Sequence, residues 1–308
     1  MEREDMETFR PIQSWERTPS RHCMEINDDG SINSNTGSKP YGLEAPLRDV
    51  VGMDPDDLQR DMLEYESLFQ FYHPHAGFVP YRRYLVDWMS DLGERFRLNT
   101  STVHCAILYM DKILSSRVVD RNKWQLLGTA ALSVASKYEE AEEHCPPIPE
   151  LIDMVNLRTS SVAFRDRGEL EVLRLLGWQL RALPPVHFVN FYQAKGVLFE
   201  NDRWQKRAMM EKIPRYVRKY AEFFCNLCLQ DYSFSQYRPS VLAAAIIVAS
   251  RQALCIEPLW RPELQAVTGF TQEQVHPLFL HVWQYYEEQF PGHGVRVPSP
   301  DNVMAAPH

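Results

Sequence analysis

Two stretches of the chain carry small or apolar residues on every helical face: Ala130–Lys137, reading AALSVASK, and Ala244–Arg251, reading AAIIVASR. They share Ala-Ala, an aliphatic residue, Val-Ala-Ser and a final base at an offset of 114 residues (130 to 244). A helix without bulk lets its neighbours approach on several sides, so each stretch is predicted to lie inside a bundle. Pro149-Glu150-Leu151 recurs as Pro262-Glu263-Leu264 at nearly the same offset, with Pro placed in each for the first turn of the next helix. Two copies of one helical domain is the expected architecture.

Amphipathic stripes surround these two stretches. Asp54-Pro55-Asp56-Asp57 combines an N-cap, a Pro at the first helical position and acids at the positive end of the dipole, and predicts a leading helix. In PYRRYLVDWMSDLGERF, Tyr84, Leu85, Trp88, Met89, Leu92 and Phe96 fall on one stripe. The next helix buries Val103, Ile107, Met110 and Leu114, and places Asp111 at the stripe's edge. A half-buried acid needs a partner, and Arg82 can supply a bidentate one. RDRGELEVLRLLGWQL closes the first repeat. The second begins at PPVHFVNFY and continues through a basic-aromatic helix near WQKRAMMEKIPRYVRKYAEFF to a last helix at TQEQVHPLFLHVWQYYEEQF. The expected segments are a disordered tail over 1–50, a first domain with its leading helix over 51–182, a second over 183–290 and a disordered tail over 291–308.

Length and composition agree with two cores: 308 residues, of which 44% are hydrophobic. The apolar run from Val241 to Ala249 is too short for a membrane span, which needs about 18 residues, and the acidic start does not resemble a signal peptide. A soluble intracellular protein, nuclear or cytoplasmic, is expected. The formal charge of -8 disfavours a general nucleic-acid binder and points to protein partners. The basic residues between Arg203 and Lys219 read as the wet face of an amphipathic helix. Six cysteines scattered through helices suggest reduced thiols, and Cys225 and Cys228 read as buried helix rather than a metal pair. Glu139, Glu140, Glu142 and Glu143 read as a solvated helix end, because no His, Ser or glycine-rich loop accompanies them. No cofactor or metal is expected. Thr18, followed by Pro19 and Arg21, fits a proline-directed kinase site. Arg60–Leu63 outlines a destruction signal but lies within the leading helix.

YRRYLVDWM, LLGTAALSVASKYEE and ELEVLRLLGWQL, in this order and spacing, resemble the cyclins over roughly residues 54–290. Arg-Arg-Tyr in the first motif, the acidic and Pro-rich stretch after SKYEE, and LPPVHFVNFY are most similar to the J-type members. The resemblance implies an all-α fold of tandem five-helix cyclin boxes and a role as activating subunit of a cyclin-dependent kinase, with catalysis left to the partner. It places Lys137 and Glu169 together on a kinase-facing surface, with Tyr138, Leu173, Trp178 and Leu180 as apolar positions around them. Arg82 and Asp111 match an internal ion pair. A substrate-docking patch for proteins carrying Arg-x-Leu motifs falls on Tyr81, Tyr84, Leu85, Trp88 and Gln125, with Asp91 at its acidic edge. Here Tyr81, Arg83 and Tyr84 replace Met, Ala and Ile, giving a bulkier and more basic rim.

Two other readings use the same residues differently. A transcription adaptor of the TFIIB type would bind DNA and basal factors through a duplicated bundle, but it wants a basic face and an N-terminal metal ribbon. An all-helical enzyme would use the glutamates after Lys137.

Overall fold

The structure, a computed structural model, describes residues 39–43, 47, 52–67, 77–209 and 211–291. Thr18 and most of both predicted tails lie outside these residues. Helix α1 (Pro55–Ser67) opens the described bundle with Asp56 and Asp57 in its first turn. The first box holds α2 (Val79–Arg95), α3 (Thr100–Ser116), α4 (Trp124–Glu139) and α5 (Ile148–Val155). It closes with α6 (Ser161–Phe164), which passes through a π-helical segment, Arg165–Glu169, into α7 (Leu170–Leu175).

The second box comprises α8 (Pro185–Lys195), α9 (Ile213–Gln230), α10 (Pro239–Ala253), α11 (Pro262–Thr268) and α12 (Gln272–Gln289). The two small-residue stretches lie in α4 and α10, as their composition requires. Every residue from Leu127 to Ser136, and every residue from Leu242 to Arg251, is buried. Around α4 the first core gathers Met89, Ile107, Met110, Leu151, Phe164 and Val172. Around α10 the second gathers Phe188, Tyr192, Phe224, Leu264 and Val282.

Arg82 and Asp111 pair as their positions demanded. Nε and Nη2 of Arg82 donate to the two carboxylate oxygens at 2.9 and 2.8 Å, with both residues buried. The third contact was not expected: Arg82 Nη1 donates to the Leu229 carbonyl of α9 at 2.7 Å, so the pair also joins the boxes.

Three sequence expectations change. Arg203–Ala208 is not helix but a hairpin of β1 (Arg203–Trp204) and β2 (Arg207–Ala208), to which β3 (Ile256–Glu257) adds antiparallel in the order β2-β1-β3. Gln205 and Lys206 turn the chain with positive φ, and helix resumes only at Ile213, with Pro214 in the first turn where its missing N–H costs least. Lys39–Leu43, expected in the tail, pair with the second box: Tyr41 N–H donates to Leu198 O at 2.8 Å and Glu200 N–H to Lys39 O at 3.2 Å. Gly196 permits this approach, since a Cβ there would stand 2.7 Å from Pro40 Cβ.

Finally, α1 engages the second box as well as preceding the first. Met62 is buried in the second core, and Gln59 donates to the last carbonyls of α11. Buried Glu66 accepts from the Ser240 N–H and hydroxyl at the start of α10, both at 2.6 Å. Arg60 stays on the surface in a bridge to Asp57, and Leu63 packs against the second core.

Candidate functional site

Helix α4 ends at the surface, and its last turn brings Lys137 beside the π-helical segment. Ser160 starts that segment by capping α6, its hydroxyl accepting from Ala163 N–H at 3.3 Å. An extra residue in a helical turn rotates the chain beyond it, and π turns are often found where a side chain must be re-aimed. Here both Gly168 and Glu169 come to lie inward. Gly168 lies against α4, where even a Cβ would stand 3.1 Å from Ala130 Cβ. That close approach delivers Glu169 to the end of α4.

Glu169 is 8% exposed. Its Oε1 accepts from Ser133 Oγ at 2.5 Å and from Lys137 Nζ at 2.6 Å. Ser133 is fully buried, whereas the Lys137 side chain is 47% exposed. The carboxylate is therefore fixed from below by a hydroxyl and holds an ammonium at the surface. An ammonium has three donors, and this bond uses one of them.

The apolar residues expected around the pair divide. Tyr138 and Trp178 are exposed, the latter at 64%. Leu173 and Leu180 pack partly against the first core, and the Leu180 carbonyl accepts from Tyr109 OH at 2.5 Å. Trp178 follows Gly177 at the end of α7, and both have positive φ; Trp178 N–H donates back to Leu173 O at 2.9 Å. A bulky side chain in the left-handed region is uncommon and costs of order 1–3 kcal/mol. The sequence reading also missed Val162 of α6, a 65% exposed apolar residue.

The expected docking patch is less open than its composition suggested. Leu85 is buried in the first core, and Trp88 lies over α4, where a Cβ on Gly128 would stand 2.9 Å from its ring. Tyr81 packs against Trp124 and is covered by the Arg121 guanidinium, 3.8 Å from its ring centroid. Gln125 donates to the Val155 carbonyl at 3.2 Å. Tyr84, placed on the apolar stripe by periodicity, is 46% exposed, and Asp91 is half-buried.

The glutamates after Lys137 are not one solvated group. Glu140 accepts from Asn99 N–H and Nδ2 and from Thr102 Oγ1 at 2.6–2.7 Å, satisfying the start of α3. Glu139 faces Cys105 and His187, while Glu142 and Glu143 are exposed. Cys225 and Cys228 are buried in α9, and burial pushes both thiols well up.

Two helical boxes of matching organisation, each around a small-residue helix, with a hydrogen-bonded Lys–Glu pair at one surface, define a class of tandem all-helical proteins. The models for the cyclin N-terminal and C-terminal domains match residues 62–181 and 185–295. The chain belongs to the cyclin family. It is 34% identical over 230 residues to a Cyclin-D of Ostreococcus tauri, covering 73% of this chain and 61% of that one. It is 28% identical to Cyclin-J of Xenopus laevis over 72% of this chain and 59% of the relative. A G2/mitotic-specific cyclin-A of Drosophila melanogaster is 27% identical, over 83% and 51% of the two chains. The chain thus spans about half to three fifths of the length of these relatives.

Among solved structures, a viral cyclin from herpesvirus saimiri superposes with a TM-score of 0.57 at 15% identity, over 75% of this chain and 99% of that one. A chain of the yeast RNA polymerase II CTD kinase complex does so with 0.52 at 11%, over 82% and 74%. Both likenesses concern the fold. Among the described residues no helix is long and apolar enough to cross a membrane.

Proposed function

We propose that the chain is the activating subunit of a cyclin-dependent protein kinase in cell-cycle control, acting in the nucleus or cytoplasm. The observation that carries this reading is the Lys137–Glu169 pair, anchored by buried Ser133 and accompanied by exposed Tyr138 and Trp178. A hydrogen-bonding pair beside exposed aromatics has the make-up of a binding hot spot. Trp178 supports it further, since a left-handed backbone, closed by its N–H bond to Leu173 O, holds the indole in solvent.

The mechanism is a population shift. A kinase needs its strand Lys paired with the Glu of its mobile helix, and the metal-binding Asp in place, before phosphoryl transfer. A rigid partner that binds only the helix-in state shifts that equilibrium by its differential affinity. Moving it from 1:99 to 99:1 takes about 5.5 kcal/mol. Trp178, Tyr138 and the flank of Leu173 would provide apolar burial, and Lys137 and Glu169 would orient the partner's backbone through desolvated hydrogen bonds. Phosphoryl transfer itself belongs to the kinase.

The test adds the purified chain to monomeric cyclin-dependent kinases beside a variant carrying Lys137→Glu and Glu169→Lys, with helicity checked by circular dichroism. Activation by the wild type and its loss in the folded variant are expected. Equal activation by both would remove the pair from the interface, and no activation of any kinase would overturn the reading.

A further inference from the structure

Cys105 of α3, Glu139 at the end of α4 and His187 in the first turn of α8 converge where the two boxes meet. Their ligand atoms all lie within 4.8 Å of one another. Cys105 Sγ stands 3.8 Å from Glu139 Oε1, and His187 Nε2 stands 3.5 Å from Glu139 Oε2. We propose that these three side chains form a zinc-class metal site that pins the second box to the first.

The donor set is the first argument. A thiolate, an imidazole and a carboxylate are the ligand types that zinc takes, and three protein ligands with one further position for water is a common arrangement. The distances are the second. With Zn–S about 2.3 Å and Zn–N or Zn–O about 2.0 Å, the edges of a tetrahedron measure roughly 3.3–3.5 Å. The two distances, 3.8 and 3.5 Å, are each within a few tenths of an ångström of that, though they run to different oxygens of Glu139. Glu139 turns one oxygen to the thiol and the other to the imidazole, so a small rotation of the carboxylate presents either to an ion between them.

Access and burial are the third. Cys105 is fully buried, whereas the side chains of Glu139 and His187 are 17% and 19% exposed, which gives an ion and its water a way in. The thiol donates weakly to Glu139. On binding, the thiol proton passes to water and the thiolate, carboxylate and imidazole share the ion's charge. Because His187 belongs to the second box and the other two ligands to the first, binding selects the docked arrangement and stabilises it by mass action.

The site is tested on the full chain, stripped with chelator and titrated with Co2+ as a spectroscopic probe and then with Zn2+. One equivalent of Co2+ should give a thiolate-to-cobalt charge-transfer band and the visible bands of tetrahedral cobalt, both displaced by Zn2+. Cys105→Ser should abolish the charge-transfer band, while Cys145→Ser, at a thiol outside the trio, should retain it. His187→Gln, which leaves the core untouched, should weaken Zn2+ binding by at least about tenfold and cancel the rise in Tm that Zn2+ gives the wild type. No stoichiometric binding by the wild type, or a band that survives both Cys105→Ser and His187→Gln, would overturn the proposal. Neither readout depends on kinase activation.

Discussion

Lys137 and Arg251 occupy matching places in the duplicated motif and have opposite environments. The Lys137 side chain is 47% exposed with one bond to Glu169, whereas Arg251 is fully buried, with Nη1 and Nη2 donating to the two oxygens of Asp202 at 2.8 and 2.9 Å. Nη1 also donates to Val197 O and Nη2 to Pro258 O. The second box has thus turned the basic residue of its motif into a structural clamp and offers no second copy of the exposed pair. Lys137→Ala should change stability by no more than about 1 kcal/mol, as partly exposed pairs do, yet abolish kinase activation. Arg251→Ala takes from buried Asp202 one of its two guanidinium partners, leaving Arg261 at 2.7 Å, and should cost about 1–3 kcal/mol in urea denaturation.

Asp87 gives a second residue-level test, at the α2–α9 contact where it accepts from Gln230 Nε2 at 2.6 Å. Burial, with help from Asp91 and against Arg83 and Gln230, pushes its carboxyl up to about 6. A carboxyl whose folded value is raised binds more protons in the native state, so its contribution is largest below about pH 4 and is lost as pH rises through 6. His104 runs the other way: burial lowers it to about 4, so its contribution falls away as pH drops below about 6.5. Comparing wild type with Asp87→Asn cancels the histidine. The variant should gain stability relative to wild type between about pH 4 and 6.5, read from denaturation midpoints, and a constant difference would refute the assignment.

At the scale of elements, the π-helical segment between α6 and α7 is the part on which the candidate site depends. Gly168 is its contact with Ala130, and a larger side chain must push the turn away from α4. Gly168→Leu should cost about 1–3 kcal/mol by overpacking and lift Glu169 off Ser133 and Lys137. Kinase activation should then fall as far as it does on losing Glu169, with helicity kept; activation at the wild-type level would show that the turn does not set the pair. Sequence pattern revealed the helix that follows this turn, within RDRGELEVLRLLGWQL, because burial on one face leaves a stripe, but not the short α6 before it. It gave no sign of the π segment, since one inserted residue in a short amphipathic run leaves no periodic trace.

The same limit explains the other differences. Small-residue composition sufficed for α4 and α10, where all faces are covered. Charge and aromatics between Arg203 and Lys219 suggested one helix, but the backbone instead turns at Gln205 and Lys206 and pairs with Ile256–Glu257, a partner about fifty residues away in sequence. Tyr84 shows that a stripe identifies a helix better than it identifies each buried position. Arg82 and Asp111 were legible because a charge beside an apolar stripe must be paired. Cys105, Glu139 and His187 were not, because three separate helices bring them together and no local spacing records it.

For the whole molecule, the question is what makes two cores behave as one body. Arg82 bonds Asp111 within the first box and the Leu229 carbonyl of the second. Helix α1 spans the same boundary: Tyr65 OH donates to Arg181 O at 2.6 Å where the first box ends, and Glu66 accepts two bonds at the start of α10. Glu66→Ala would leave the Ser240 N–H and hydroxyl buried without that partner, at about 1–3 kcal/mol. The cost falls at a helix start inside the second box, so the second core should weaken while the first is untouched. Wild type should then melt in one transition, with near- and far-ultraviolet circular dichroism coincident. The variant should separate them, the second box loosening first, visible as earlier hydrogen exchange in α9 and α10 than in α3 and α4. If exchange accelerates equally in both boxes, α1 is a brace for the whole molecule rather than a cap on one half, and the coupling through Arg82 dominates.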